Sequence, residues 1–143
     1  SEMCIRDRNC AYCVEGDLVA KFGIKICELE TSKVYLFKEQ SHPGRCIVAH
    51  KKHVGDMNEL TAEERAAYFE DVARVARAIM AAFHPDKVNY GAYGDTGHHL
   101  HFHLCPKYKD EFEWGGVFLM NPDKKYLTDA EYAEMIEKIK ANM

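Results

Sequence analysis

Two groups of side chains in this sequence have the types and spacing for chemistry. The first is the run His99-Leu100-His101-Phe102-His103-Leu104-Cys105-Pro106. On an extended strand successive residues face opposite sides, so His99, His101 and His103 share one face and Leu100, Phe102 and Leu104 the other. A rise of about 3.3 Å per residue sets His99 and His103 about 13 Å apart along the backbone, too far for one metal ion to hold all three easily. At least one imidazole is therefore left for another task. A neutral imidazole is a good nucleophile toward phosphorus near pH 7, because its ordinary pKa of about 6.5 leaves the lone pair mostly free. The plainer alternatives are a hydrogen-bonded surface cluster or an adventitious metal patch. Three histidines at a strict spacing of two, after a glycine-rich turn and before Cys-Pro, favour chemistry over both.

The second group is Cys10-Ala11-Tyr12-Cys13. This spacing brings two thiolates close enough to share a tetrahedral Zn²⁺, and a structural site then needs two more N or S ligands, which the histidines can supply. The same spacing also fits a redox pair or two buried thiols. Gly94-Asp95-Thr96-Gly97 offers backbone N–H groups and the Thr96 hydroxyl as donors to a phosphate oxygen on which charge builds up; read more plainly, it is a tight turn. Asn89, on the strand before that turn, is a candidate for placing a phosphate or ribose.

The elements that position these groups are legible in the periodicity. Residues 23–29 alternate apolar with polar and residues 33–38 follow a Glu-Thr-Ser break, which predicts a hairpin. His42-Pro43-Gly44 signals a turn, and residues 45–50 a third, short apolar strand. Thr61-Ala62-Glu63-Glu64 is a capping box, after which Tyr68, Phe69, Val72, Val75, Ala76, Ile79 and Phe83 recur at three and four residues until His84-Pro85. Residues 87–93 and 99–104 read as two further strands joined by the glycine turn. A second capping box, Thr128-Asp129-Ala130-Glu131, opens a C-terminal helix with Tyr132, Met135, Ile136 and Ile139 on one side. Strands, helix, strands, helix is the order of an α+β domain with an antiparallel sheet of about five strands, one long central helix and a C-terminal helix. Residues 107–127 lack a clear period, and loops of that length are often functional.

Composition narrows the partners. With 47% hydrophobic and 29% charged residues the chain is an ordinary globular protein. The net charge of −4 excludes the broad basic surface that a nucleic-acid polymer requires, yet leaves room for a single nucleotide held by local groups. No apolar run approaches the roughly 18 residues needed to cross a bilayer and no secretory signal is present, so a cytoplasmic protein with no membrane partner is expected. Six cysteines do not imply disulfides in a chain able to form a full core. Residues 1–9 are expected to be a disordered or non-native N-terminus and residues 10–143 a single domain.

The alternating run at His99 to Pro106 resembles the motif of the histidine triad (HIT) superfamily, and Ile47-Val48-Ala49-His50-Lys51-Lys52-His53-Val54 is similar to that family's strand ending in Lys-Lys-His. The order Cys-x-x-Cys, Lys-Lys-His, helix, glycine turn, triad resembles its zinc-containing bacterial branch and, within the superfamily, the diadenosine tetraphosphate hydrolases. The likeness covers Cys10 to Pro106. It implies a HIT-like protomer that forms a homodimer, with structural Zn²⁺ held by Cys10, Cys13, His53 and His99. It further implies that His101 attacks the α-phosphate of a nucleotide to give a covalent nucleotidyl-histidine, while His103 orients the site and contacts phosphate or leaving group. Expected substrates are purine nucleotides, dinucleoside polyphosphates and nucleoside phosphoramidates. Asp95 stands where relatives often carry glutamine. Arg45 stands where many carry a further histidine behind the nucleophile, and an arginine there can pair with phosphate or with Asp95. Glu39 is the candidate for the ribose-binding acid.

Two other readings compete with a nucleotide hydrolase or transferase. One is a zinc-stabilised protein that binds nucleotides without turnover. The other is a catalytic metal centre, since two histidines at a spacing of two on a strand can chelate one ion.

Overall fold

Five antiparallel strands and two long helices make up most of the protein in the computed structural model, which describes residues 9–143. In chain order the elements are α1 (Ala11–Val14), α2 (Asp17–Ala20), β1 (Gly23–Glu28), β2 (Ser32–Phe37), β3 (Cys46–His50), a 3-10 turn at Met57–Glu59, α3 (Ala62–Phe83), β4 (Lys87–Gly91), β5 (His101–Lys107) and α4 (Asp129–Ala141). The expected α+β sheet is therefore present, in the order β1-β2-β3-β5-β4 with every neighbouring pair antiparallel. Among the described residues no helix is long and apolar enough to cross a membrane. Of residues 1–9, expected to be disordered or foreign to the fold, 1–8 lie outside the described residues, and Asn9 sits on the wall of the cavity described below.

Both capping boxes form: Thr61 accepts from the Glu64 N–H at 3.1 Å, and Thr128 from the Glu131 N–H at 3.2 Å. Each glutamate in turn accepts from the cap residue's own N–H, so free donors at the helix start are satisfied. Helix α3 buries Tyr68, Val72, Val75, Ala76 and Ile79 as its period requires, and ends at His84, which adopts a left-handed conformation (φ 53°) before Pro85.

The central strands are buried on both faces, and alternation sorts their side chains into two cores. Val34, Leu36, Cys46, Val48 and Leu104 join the α3–α4 side. Tyr35, Phe37, Ile47 and Ala49 join Tyr12 and Val19 of the two short N-terminal helices on the other. Those helices, four residues each, are too short to leave a periodic trace in the sequence, yet they close the face on which the histidines lie.

Three boundaries differ from the sequence reading by two residues or more. β5 starts at His101, two residues late, because Leu100 is held by a bond from its N–H to the Val54 carbonyl (2.7 Å) in the preceding loop. β5 continues through Cys105 and Pro106 to Lys107. Proline is tolerated there because β3 pairs only as far as Leu104, so the strand has β4 alone as neighbour, as at a sheet edge. β4 stops at Gly91, and a loop of residues 92–100 replaces the tight turn.

Asp71 secures α3 to the β1–β2 turn. One buried carboxylate oxygen accepts from the Thr31 N–H (2.9 Å), the Thr31 hydroxyl (2.6 Å) and the Ser32 hydroxyl (2.8 Å). Asp71→Ala strands a fully buried Ser32 hydroxyl and a backbone donor, so it is expected to cost about 2–4 kcal/mol in urea unfolding, with Asp71→Asn costing less.

Candidate active site and metal cluster

One cavity of about 1120 Å³ opens on the sheet face opposite α3. It is slightly larger than the usual size range of small-molecule clefts, roughly 300–1,000 Å³. His99, His101 and His103 line it, together with residues 94–97, Tyr12, Phe37 and the segment from Phe118 to Asn121. The aperiodic stretch 107–127 thus contributes a wall.

Each histidine of the run has a partner that fixes its tautomer, because carbonyls only accept and guanidinium groups only donate. His99 Nε2 lies 2.6 Å from the His50 carbonyl, so Nε2 carries the proton and Nδ1 is a bare donor atom for a metal. His101 Nδ1 lies 2.7 Å from the His99 carbonyl, so Nδ1 is protonated and the Nε2 lone pair is bare. His103 Nδ1 accepts from Arg45 Nη2 at 3.0 Å, so its proton is on Nε2. Burial lowers the pKa of all three: His99 to about 4, His101 below the imidazole norm, and His103 to about 2 with help from the Arg45 charge. All three rings are neutral at pH 7. The Tyr12 ring packs across His99 and His101, with centroids 5.3 and 5.1 Å away, and His101 to His103 is 5.3 Å. Gly97 runs so near the middle imidazole that a Cβ built on it would touch His101 Cε1 at 3.8 Å.

Beside this wall Cys10, Cys13, His53 and His99 converge, with their ligand atoms all within 4.8 Å of one another. Cys10 Sγ to His99 Nδ1 is 3.2 Å, Cys13 Sγ to His53 Nδ1 3.2 Å, Cys13 Sγ to His99 Nδ1 3.5 Å, and His53 Nδ1 to His99 Nδ1 3.1 Å. Metal–nitrogen bonds of about 2.0 Å and metal–sulfur bonds of about 2.3 Å give tetrahedral edges of roughly 3.3–3.8 Å, close to these spacings. The His50 carbonyl behind His99 is the outer partner that orients a metal-binding imidazole. The four residues can hold a metal ion. His99 serves both groups, its ring in the cluster and its carbonyl on the middle histidine.

Asp95, Thr96 and Gly97 line the cavity at its exposed rim. Three residues expected at the substrate stand off the wall. Asn89 lies in a smaller neighbouring cleft with Lys87, Lys107 and Trp114. Glu39 is buried and accepts from Ser41 and from the N–H groups of Lys124 and Lys125, pinning the loop that leads into α4. Arg45 is fully buried and makes no ion pair with Asp95; it packs behind His103 and donates to the carbonyls of Leu119 (3.1 Å) and Met120 (2.8 Å). Sequence reasoning missed the aromatic lining, above all Tyr12 and Phe118, whose positions depend on segments far apart in the chain.

A HIT domain family model matches residues 23–110. The chain is 30% identical over 122 residues to the protein hit of Bacillus subtilis, covering 80% of this chain and 82% of that one. It is 28% identical over 116 residues to an adenosine 5'-monophosphoramidase of Schizosaccharomyces pombe, covering 75% and 80%. Among solved structures, a histidine triad protein of Sinorhizobium meliloti superposes with a TM-score of 0.82 at 21% identity, covering 90% of this chain and 95% of that one. A zinc-bound histidine triad family protein of Mycobacterium smegmatis superposes at 0.67 and 22% identity, covering 95% and 94%.

Proposed function

The chain belongs to the HIT domain family, and on that premise we propose that it is a cytoplasmic nucleotide hydrolase or nucleotidyl transferase acting at the α-phosphate of purine nucleotides. The carrying observation is the bond from His101 Nδ1–H to the His99 carbonyl at 2.7 Å, which leaves a neutral, bare Nε2 on a cavity wall. The kinship to an adenosine 5'-monophosphoramidase supports the nucleotide class. Phosphoramidates and dinucleoside polyphosphates are the substrates the reading names.

In the first step His101 Nε2 donates its lone pair to the α-phosphorus, a P–N bond forms, and the P–N or P–O bond to the leaving group breaks with its electron pair going to that group. The leaving group takes up a proton as it departs. The imidazole gains positive charge while its Nδ1–H stays on the His99 carbonyl, so charge develops where a dipole already faces it. In the second step water, or another acceptor, attacks phosphorus and loses a proton, and Nε2 recovers its lone pair. His103 Nε2–H, Thr96 and the N–H groups near Gly97 are the donors proposed for the phosphate oxygens.

Cys10, Cys13, His53 and His99 are proposed to hold Zn²⁺; when bound it supplies a cross-link between the N-terminal segment and the triad rather than a reacting centre. A homodimer is proposed from the family resemblance; the edge position of β4 and the exposed Trp114, Val117 and Leu119 support it.

Incubation with adenosine 5'-phosphoramidate and with diadenosine tetraphosphate is expected to release AMP, and rapid quenching to trap an acid-labile nucleotidyl adduct on a histidine. Binding of AMP with no release from any nucleotide tested would make this a binding protein instead.

A further inference from the structure

The least expected feature beside the site is a buried cation with no ion-pair partner among the described residues. Arg45 is completely buried. Among the described residues none of its nitrogen atoms forms an ion pair. Its guanidinium carbon lies 4.2 Å from the centroid of Phe37 and 4.9 Å from that of Phe118, between two aromatic faces. Its side-chain hydrogen bonds go to neutral groups, His103 Nδ1, the carbonyls of Leu119 and Met120 and the Met120 sulfur, and among the described residues Nε has no partner. The carboxylates whose charge reaches it, Glu39 and Glu113, are engaged elsewhere: Glu39 by the backbone of the loop into α4, Glu113 by His42 and the Leu119 N–H. A buried charge left among dipoles and π faces costs several kcal/mol unless an opposite charge comes close.

Five residues that the Arg45 guanidinium meets, Phe37, His103, Phe118, Leu119 and Met120, line the cavity. Arg45 therefore stands one layer behind the wall, and the space in front of that wall is where a counter-charge can sit. A donor-only side chain against Nδ1 also dictates that His103 presents N–H, and never a lone pair, from its other nitrogen. A histidine in place of Arg45 would donate or accept and would dictate neither.

We propose that Arg45 is a positioning residue with two coupled effects: it locks His103 as an Nε2–H donor toward the cavity, and its charge is completed by the phosphate of the bound nucleotide. The second effect rests on the nucleotide reading above; the first does not. The Leu119 and Met120 carbonyls tie the loop wall to the same guanidinium, so the phosphate-facing donor and that stretch of the cavity wall are set by one side chain.

Two variants test this, Arg45→Met, which removes charge and donor, and Arg45→His, which keeps a polar ring at the position in case the first fails to fold. Nitrogen-15 NMR of the ring resonances is expected to show His103 solely as the Nε2–H tautomer in the unmodified protein, and as a tautomer mixture or imidazolium in the variants. Titration with AMP and with adenosine is expected to show a phosphate-dependent gain in affinity that falls on the order of tenfold in either variant, adenosine binding being unchanged. Turnover is expected to fall on the order of tenfold to a hundredfold, mainly in kcat, less than the loss of a direct transition-state donor costs. An Nδ1–H tautomer in the unmodified protein, or variants that keep both the tautomer and the AMP preference, overturns the proposal. If the unmodified protein binds no AMP, the nucleotide reading and the counter-charge fail together, while the ring spectra still decide the tautomer.

Discussion

His101→Asn is expected to lower AMP release by at least about a thousandfold while leaving fold, metal content and AMP affinity nearly intact. The reasoning is geometric. The ring has two jobs on two atoms: Nδ1–H holds the His99 carbonyl at 2.7 Å and Nε2 faces the cavity. An asparagine amide can keep the first contact, since its NH₂ donates from about the same place, but it carries no lone pair nucleophilic toward phosphorus. Its smaller size leaves space beside Tyr12, whose ring packs on the imidazole at 5.1 Å, so a modest loss of stability is expected as well. Single-turnover quench experiments check the result, because the variant should accumulate no nucleotidyl adduct. Retention of more than a tenth of the turnover would require a nucleophile other than this ring, with a metal-activated water the first alternative.

Stripping metal, or the substitution Cys13→Ala, is expected to lower the thermal midpoint by about 10 °C or more, corresponding to several kcal/mol in a chain of this size. The cluster joins the start of α1 to the loop after β3 and to His99 in the loop before β5, segments far apart along the chain. Two imidazole nitrogens stand 3.1 Å apart with sulfur atoms beside them, an arrangement that the ligand set has little other reason to keep. Because the His99 carbonyl positions His101, activity should fall along with stability and return when Zn²⁺ is restored to chelated protein. Elemental analysis finding no metal in freshly purified protein, together with a melting point indifferent to chelator, would remove the metal from the account.

What the sequence by itself determined is local. Capping boxes at Thr61 and Thr128 and the three-and-four spacing of Tyr68, Val72, Val75, Ala76 and Ile79 place the long helices, because cap bonds and helical faces close within a few residues. Alternation at His101 and His103 puts both rings on one sheet face for the same reason. Spacing alone made Cys10 and Cys13 candidates, but His53 and His99 were nameable as their partners only through resemblance, since Cys10 and His99 are 89 positions apart. Tertiary structure decided the tautomers of His99 and His103, because each depends on a carbonyl or guanidinium that another segment delivers, whereas His101 takes its partner from His99 two residues before it. It also sent Glu39 to the backbone of residues 124 and 125, kept Asn89 in a separate cleft, and set Arg45 behind His103 instead of beside Asp95. A charged side chain's role is fixed by whatever group of opposite or complementary chemistry comes within about 3 Å, and that is a property of the assembled chain, not of spacing along it.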